Sequence, residues 1–171
     1  MSLEELENII YTYGKDLYSF CCVITRNRHE AEDLYQDTFL KLYEMRENLI
    51  IEKNPKSYIM SVSVNLYRNY KRKRSIRQTI VGIETSIDEN INEIPSKELM
   101  TEEQIIMQEE CRLLRSEVGR LPDKYKIPIL LFYMEDLSLM EISKILKLPS
   151  GTVKTRIHRA KKILKQKLEN N

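Results

Sequence analysis

The sequence predicts an all-α protein built as two small helical domains joined by a flexible linker. Three observations predict it. Only four Gly and five Pro interrupt 171 residues, so the chain has few of the breakers that many short strands would need. Apolar residues recur at spacings of three and four along most of its length, the period of an amphipathic helix. That period lapses from about Ser75 to Met100, where Gly82, Pro95 and several Ser, Asn and Glu residues gather. Such a stretch reads as an extended linker. The divisions are a first domain over 1–75, a linker over 76–100 and a second domain over 101–171.

Leu3, Leu6, Ile10, Tyr13, Leu17, Phe20 and Ile24 share one face of a first helix. Asn27 is placed to cap a second, with Glu30 at its third position. Ala31, Leu34, Thr38, Leu42 and Met45 form its apolar face, flanked by Tyr35 and Phe39. Asn54-Pro55 starts a third helix, because Pro at the first position forfeits only an N–H that has no partner there. Ile59, Val62, Leu66 and Tyr70 mark its buried side. It runs into Lys71-Arg72-Lys73-Arg74, cations that a helix C-terminus favours.

After the linker, Thr101-Glu102-Glu103-Gln104 has the form of a capping box for a helix to about Arg120. Leu121-Pro122 ends it, and the next helix is expected from Lys126 to Met134, with Pro128 in its first turn. Ser138-Leu139-Met140-Glu141 is a second capping box, with Leu137 and Ile142 placed for a hydrophobic staple. It opens a short helix, Leu139 to Leu146. The turn Lys147-Leu148-Pro149, a cap at Ser150 and a long basic helix to about Leu168 follow.

The net charge of +2 says little, but its distribution says more. No acidic residue occurs from Asn54 to Ile83, and none from Ile142 to Leu168, where nine Lys or Arg appear. Between the two blocks, Glu84 to Glu110 is strongly acidic. Two basic blocks suggest two contact surfaces for a polyanion. Cys21, Cys22 and Cys111 form neither a disulfide framework nor a zinc spacing, and buried, reduced thiols are expected. The acidic N-terminus lacks the order of a signal peptide, and no apolar run approaches the roughly 20 residues of a membrane helix. A cytoplasmic protein without membrane insertion is the expectation.

Two helices separated by three or four residues, the second strongly basic, describe a helix-turn-helix. Val153, Ile157, Ala160 and Ile163 or Leu164 should pack inward. Lys154, Thr155, His158, Arg159, Lys161 and Lys162 fall on the other faces, where they can meet phosphates and base edges. In the first basic block, Tyr58, Tyr67 and Tyr70 interleave with Asn65, Arg68, Asn69, Lys71 and Arg72. Rings beside cations suit unpaired bases; Tyr70 reads better as a core residue with a polar tip.

Three stretches now resemble the extracytoplasmic-function sigma factors of bacterial RNA polymerase. Ala31 through Tyr43 is similar to their region 2.2. Asn54 through Asn65, with Asn69-Tyr70 and the basic run, is similar to regions 2.3 and 2.4. Leu121-Pro-Asp-Lys-Tyr125, Leu137 through Ile142 and Gly151 through Ala160 are similar to region 4. The resemblance implies promoter-specific initiation with core polymerase in a stress or envelope response, without catalysis or cofactor. It implies that Asp33, Gln36 and Asp37 meet the β′ clamp helices. Tyr58, Asn65, Arg68, Asn69, Lys71 and Arg72 would serve the −10 element, with a flipped base at Asn65. Thr152, Lys154, Thr155, His158, Arg159 and Lys162 would serve the −35 element. The core around Leu130, Leu131 and Phe132 would support contact with the β flap. Promoter DNA and an anti-sigma factor are the other implied partners, and the acidic linker is similar to the segment that threads toward the RNA exit path.

Four positions depart from the family pattern. Tyr58 stands where Trp is frequent, Ser61 where a basic residue is common, Ser143 where Ala is usual and Lys147 where Gly is frequent. A competing reading is a helix-turn-helix regulator acting without polymerase; the region 2 pattern speaks against it. An enzyme is the weakest reading, since no phosphate loop, His/Cys metal cluster or nucleophile triad occurs and His29 and His158 lie in different domains.

Overall fold

The computed structural model describes residues 2–46, 54–81 and 102–169. They form α1 (Leu3–Thr25), α2 (Arg28–Met45), α3 (Pro55–Val81), α4 (Glu102–Gly119), α5 (Asp123–Tyr133), α6 (Leu139–Leu146) and α7 (Ser150–Glu169). The all-α expectation holds, with no strand among the described residues.

Local chemistry sets most boundaries. Ser2 and Glu5 form a capping box at α1, which the sequence reading missed. Asn27 accepts from Glu30 N–H (3.0 Å) and Asn54 from Ser57 N–H (3.2 Å), as expected. The Glu30 carboxylate does not fold back on its own cap but pairs with Arg74. Ser138 and Glu141 make the expected reciprocal box, and Leu137 and Ile142 on either side of it are both buried.

Four boundaries differ from expectation. Helix α3 continues to Val81, six residues into the stretch read as linker, because Ser75 to Val81 contains no Gly or Pro and Gly82 is the first breaker. Helix α5 begins at Asp123, three residues early, with Pro122 as its N-cap. Pro128 therefore lies inside the helix rather than in its first turn. Ser150 is the first residue of α7 and not its cap; the Pro149 carbonyl accepts the Thr152 and Val153 N–H groups. The box expected at Thr101 lies outside the described residues.

Helices α1, α2 and α3 pack together around Leu17, Phe20, Ile24, Leu34, Leu42, Ile59 and Met60, all fully buried. Each such side chain contributes about 1.5–3 kcal/mol of transfer free energy. Helices α5, α6 and α7 pack around Leu131, Ile142 and Val153, also fully buried. Helix α3 buries more than the expected stripe: Met60, Ser63, Val64 and Tyr67 are buried, whereas Leu66 and Tyr70 are half-buried. The cause is a second neighbour, since α3 packs against α6 as well as against α1 and α2.

The two halves are in contact. The Lys126 ammonium of α5 donates to the carbonyls of Ile24 (3.0 Å) and Gly119 (3.3 Å), at the ends of α1 and α4. Helix ends leave such carbonyls without partners, so one buried cation satisfies two C-termini. Lys56 of α3 pairs with Glu135 (3.3 Å), which lies between α5 and α6, and Asn54 donates to Glu141.

All three cysteines are free. Cys21 is buried and its thiol is pushed up to about 12 by burial. Cys22 is half-buried and Cys111 is exposed, which corrects the expectation of buried thiols throughout.

Candidate nucleic-acid interface

Helices α6 and α7 are joined by residues 147–149, a turn of helix-turn-helix length. Lys147 takes the left-handed conformation (φ 55°), and the chain closes by Leu148 N–H donating to the Ser143 carbonyl (3.0 Å). The Ser143 hydroxyl donates in turn to the Leu148 carbonyl (2.6 Å). The hydroxyl of Ser143, one of the four departures named above, thus tightens the turn.

Val153, Ile157, Ala160 and Leu164 of α7 are buried, as the spacing predicts. Lys154, Thr155, His158, Arg159 and Lys162 are exposed, and Thr152 is half-buried. The Thr155 hydroxyl donates to the Gly151 carbonyl (2.9 Å), which leaves its oxygen to accept from a base edge. Lys124, Tyr125, Gly151, Thr152, Thr155, Arg156 and Arg159 line one open concavity. Tyr125 hydrogen-bonds Arg159, and this contact, with Lys124 nearby, holds the phenol below its ordinary range.

On α3, Asn65, Arg68, Asn69 and Arg72 are exposed at spacings of three and four, with half-buried Tyr58 one heptad before Asn65. They form one stripe. Lys71 lies off it, paired with Asp123 of α5 (2.8 Å). Tyr67, grouped above with the stacking candidates, is buried at 5% exposure and donates to Asp123, so its ring is not presented to solvent. Tyr70 is half-buried and donates to Asp37, in keeping with its reading as a core tyrosine with a polar tip. Burial and then Asp37 raise its phenol.

On α2, Asp33 and Gln36 are exposed and Asp37 is half-buried. Leu40 and Tyr43 extend the same side of the helix and are also exposed. Leu130 and Leu131 are buried and Phe132 is half-buried, a core position for all three.

The Sigma-70 region 2 family matches residues 9–76, and Sigma-70, region 4 matches residues 111–164. The ECF RNA polymerase sigma factor SigW of Bacillus subtilis is 30% identical over 166 residues, which span 95% of this chain and 88% of that protein. The chain belongs to the ECF RNA polymerase sigma factors. SigM of the same organism is 27% identical, over 94% of this chain and 93% of the relative. As a sigma factor, the protein binds core RNA polymerase and directs it to promoter DNA, and it catalyses no reaction itself. The reading as a regulator independent of polymerase is thereby set aside. In fold, this sigma factor is similar to RpoE of Bartonella quintana, solved with the anti-sigma factor NepR (TM-score 0.81, 18% identity, 98% of both chains). It is also similar to CnrH, solved with the cytosolic domain of CnrY (TM-score 0.68, 15% identity, 99% of this chain and 91% of that one).

Sequence reasoning missed Lys124, Tyr125 and Arg156 beside α7. Arg156 lies at the half-buried edge of the helix, so helical spacing alone assigned it to neither face. Lys124 and Tyr125 come from α5, thirty positions upstream, and only tertiary packing brings them there.

Proposed function

We propose that the sigma factor divides promoter reading between α3 and α7. The exposed stripe Tyr58, Asn65, Arg68, Asn69 and Arg72, with Lys71 beside it, takes the −10 element as a melted strand. Asn65 receives the flipped base. Extruding a base costs a few kcal/mol, which pocket and backbone contacts must offset. Thr152, Lys154, Thr155, His158, Arg159 and Lys162 take the −35 element in the major groove, where the N-terminal turns of a recognition helix meet base edges. Asp33, Gln36 and Asp37 meet the β′ clamp helices, and the α5 core supports contact with the β flap. The observation that carries this reading is the pair of exposed cationic helix faces, one in each sigma region, each backed by a buried apolar side.

The domains follow the division 1–75, 76–100 and 101–171, with the helical structure of the first reaching Val81. The −10 and −35 elements are about 25 base pairs apart, or about 85 Å of duplex at 3.4 Å per base pair. A domain of roughly 70 residues has a radius of gyration of only about 11 Å. The roughly 20 residues between α3 and α4 extend to at most about 70 Å, enough with the domains themselves to cover that span. An anti-sigma factor is the expected inhibitor, by analogy with the two solved complexes, and the site of action is the cytoplasm. No helix among the described residues is long and apolar enough to cross a membrane.

Run-off transcription with core polymerase on fragments of the host genome tests the reading. Discrete starts that depend on the protein are expected, weakened at one −10 position by Asn65→Ala. Starts unchanged by Asn65→Ala would refute the −10 assignment.

A further inference from the structure

Helices α5 and α7 pack against each other in region 4, and an open concavity of about 400 Å³ lies between them. From α7 it takes Thr152, Thr155 and Arg159, three members of the −35 set, together with Arg156, one turn after Thr152. From the first turn of α5 it takes Lys124 and Tyr125, which no assignment above uses. Lys124, Arg156 and Arg159 are cations, and no acidic side chain lines the concavity among the described residues. Lys124 and Arg159 are exposed, whereas Tyr125 and Arg156 are half-buried. The Tyr125 ring packs against the core, and the Lys124 ammonium stands 4.9 Å from the ring centroid, which holds this cation at the rim. A guanidinium carries only donors, so in the contact between Arg159 and Tyr125 the phenol oxygen accepts and its O–H is left to donate.

The geometry points to a further binding site: Lys124, Tyr125 and Arg156 form a seat for one backbone phosphate of promoter DNA, beside the −35 bases. This rests on the reading of α7 as the −35 helix and deepens it. Chemistry supports it first. The seat offers positive charge and an O–H donor from two helices, which is what an anionic phosphodiester accepts. Its openness suits a group presented by a larger molecule, since small-molecule sites bury most of their ligand. Position supports it second. A recognition helix seated in a major groove about 12 Å wide has a DNA strand on either side. Thr152, Thr155 and Arg159 share one stripe of α7, and Lys124 and Tyr125 flank that stripe on the α5 side, where a strand runs. Phosphate contacts fix the register of a protein on the duplex, while base contacts specify. A phosphate gripped by α5 and α7 together therefore sets the angle at which α7 enters the groove.

The test uses holoenzyme containing the full-length protein and a promoter found by the run-off assay. Duplexes each carry one methylphosphonate, which removes the charge of a single phosphate, at successive positions across the −35 element. With wild type, neutralising the seated phosphate is expected to weaken binding about tenfold, the scale of one hydrogen-bonded contact to a charged group. Lys124→Gln combined with Tyr125→Phe, which keeps the ring in place, should bind every unmodified −35 sequence about tenfold more weakly. It should show no further loss at that one phosphate while keeping the wild-type losses at the others. A merely structural role for Tyr125 would lower binding throughout and leave the shape of the scan unchanged. That result would overturn the seat, as would wild-type affinity in the combined variant. Lys124→Gln alone, a change at an exposed side chain, decides the matter if the combined variant fails to fold. The −35 reading is judged apart: Arg159→Ala holoenzyme that still discriminates −35 base changes as wild type does would refute that reading. Lost discrimination by Arg159→Ala beside an unaltered phosphate scan in the α5 variants would overturn the seat alone.

Discussion

Glu135 should make this protein less stable as pH rises from about 5 to neutrality. The residue lies between α5 and α6, is 1% exposed, and neither carboxylate oxygen accepts a hydrogen bond of normal geometry. Lys56 stands 3.3 Å from one oxygen, but burial outweighs that attraction and raises the carboxyl from 4.5 to about 7; Asp16 and Asp136 add to the rise. A raised native value means that the folded state holds the proton more tightly than the unfolded chain does. The group's contribution is therefore complete below pH 4.5, is lost as pH rises from there to 7, and is gone above. At 1.36 kcal/mol per unit, the full loss is about 3 kcal/mol, most of it between pH 5 and 8. Asp123, Glu117 and Glu141 are shifted downward and lose their contributions only at more acid pH, so they do not mask the effect in this window. The chain has no Trp, so urea unfolding is followed by far-UV circular dichroism. Wild type should lose about 2–3 kcal/mol from pH 5 to 8, and Glu135→Gln should flatten the profile. A Glu135→Gln protein with the wild-type slope would refute the reasoning.

Other predictions concern the reading helix, its turn and the thiols. Arg159→Ala should cost about 1–3 kcal/mol of −35 binding if it contacts a base bidentately, whereas Lys162→Ala should weaken all sequences alike and reduce the salt slope by about one; band-shift titrations with holoenzyme at several salt concentrations separate the two. Lys147→Gly should raise stability by about 0.5–1 kcal/mol in urea melts, because Gly relieves the left-handed strain of Lys147 (φ 55°) at some entropic cost. In a thiol-reactivity time course on the native protein, Cys111 should react first and Cys21 last, given their exposure and the burial that raises Cys21.

The sequence showed what local chemistry decides. The Asn27, Asn54 and Ser138 caps were readable because each is settled within four residues. The inward face of α7 was readable because one neighbouring layer imposes one stripe. Positions governed by contacts far along the chain were not. Tyr67 looked like a stacking residue beside cations, yet Asp123, 56 positions on, claims its hydroxyl. Lys126 entered the sequence reading only as the start of a helix, yet its ammonium is buried against a carbonyl 102 positions away. The start of α5 was misplaced because Pro122 was read as a break, when as N-cap it opens the next helix.

The chemistry of the joint bears on how strongly the halves are held. Among the described residues, the ionic and hydrogen-bonded contacts that cross it are Asp123 with Tyr67 and Lys71, Lys126 with the Ile24 carbonyl, Lys56 with Glu135 and Asn54 with Glu141. Buried ion pairs fix geometry well but add little net stability, since desolvation offsets most of their attraction. A docked-to-open ratio of 99:1 needs only about 2.7 kcal/mol, half of what a full 1:99 to 99:1 reversal requires. The apolar side chains of the two halves form one continuous buried cluster, so apolar burial carries more of the hold between the halves than the ion pairs do.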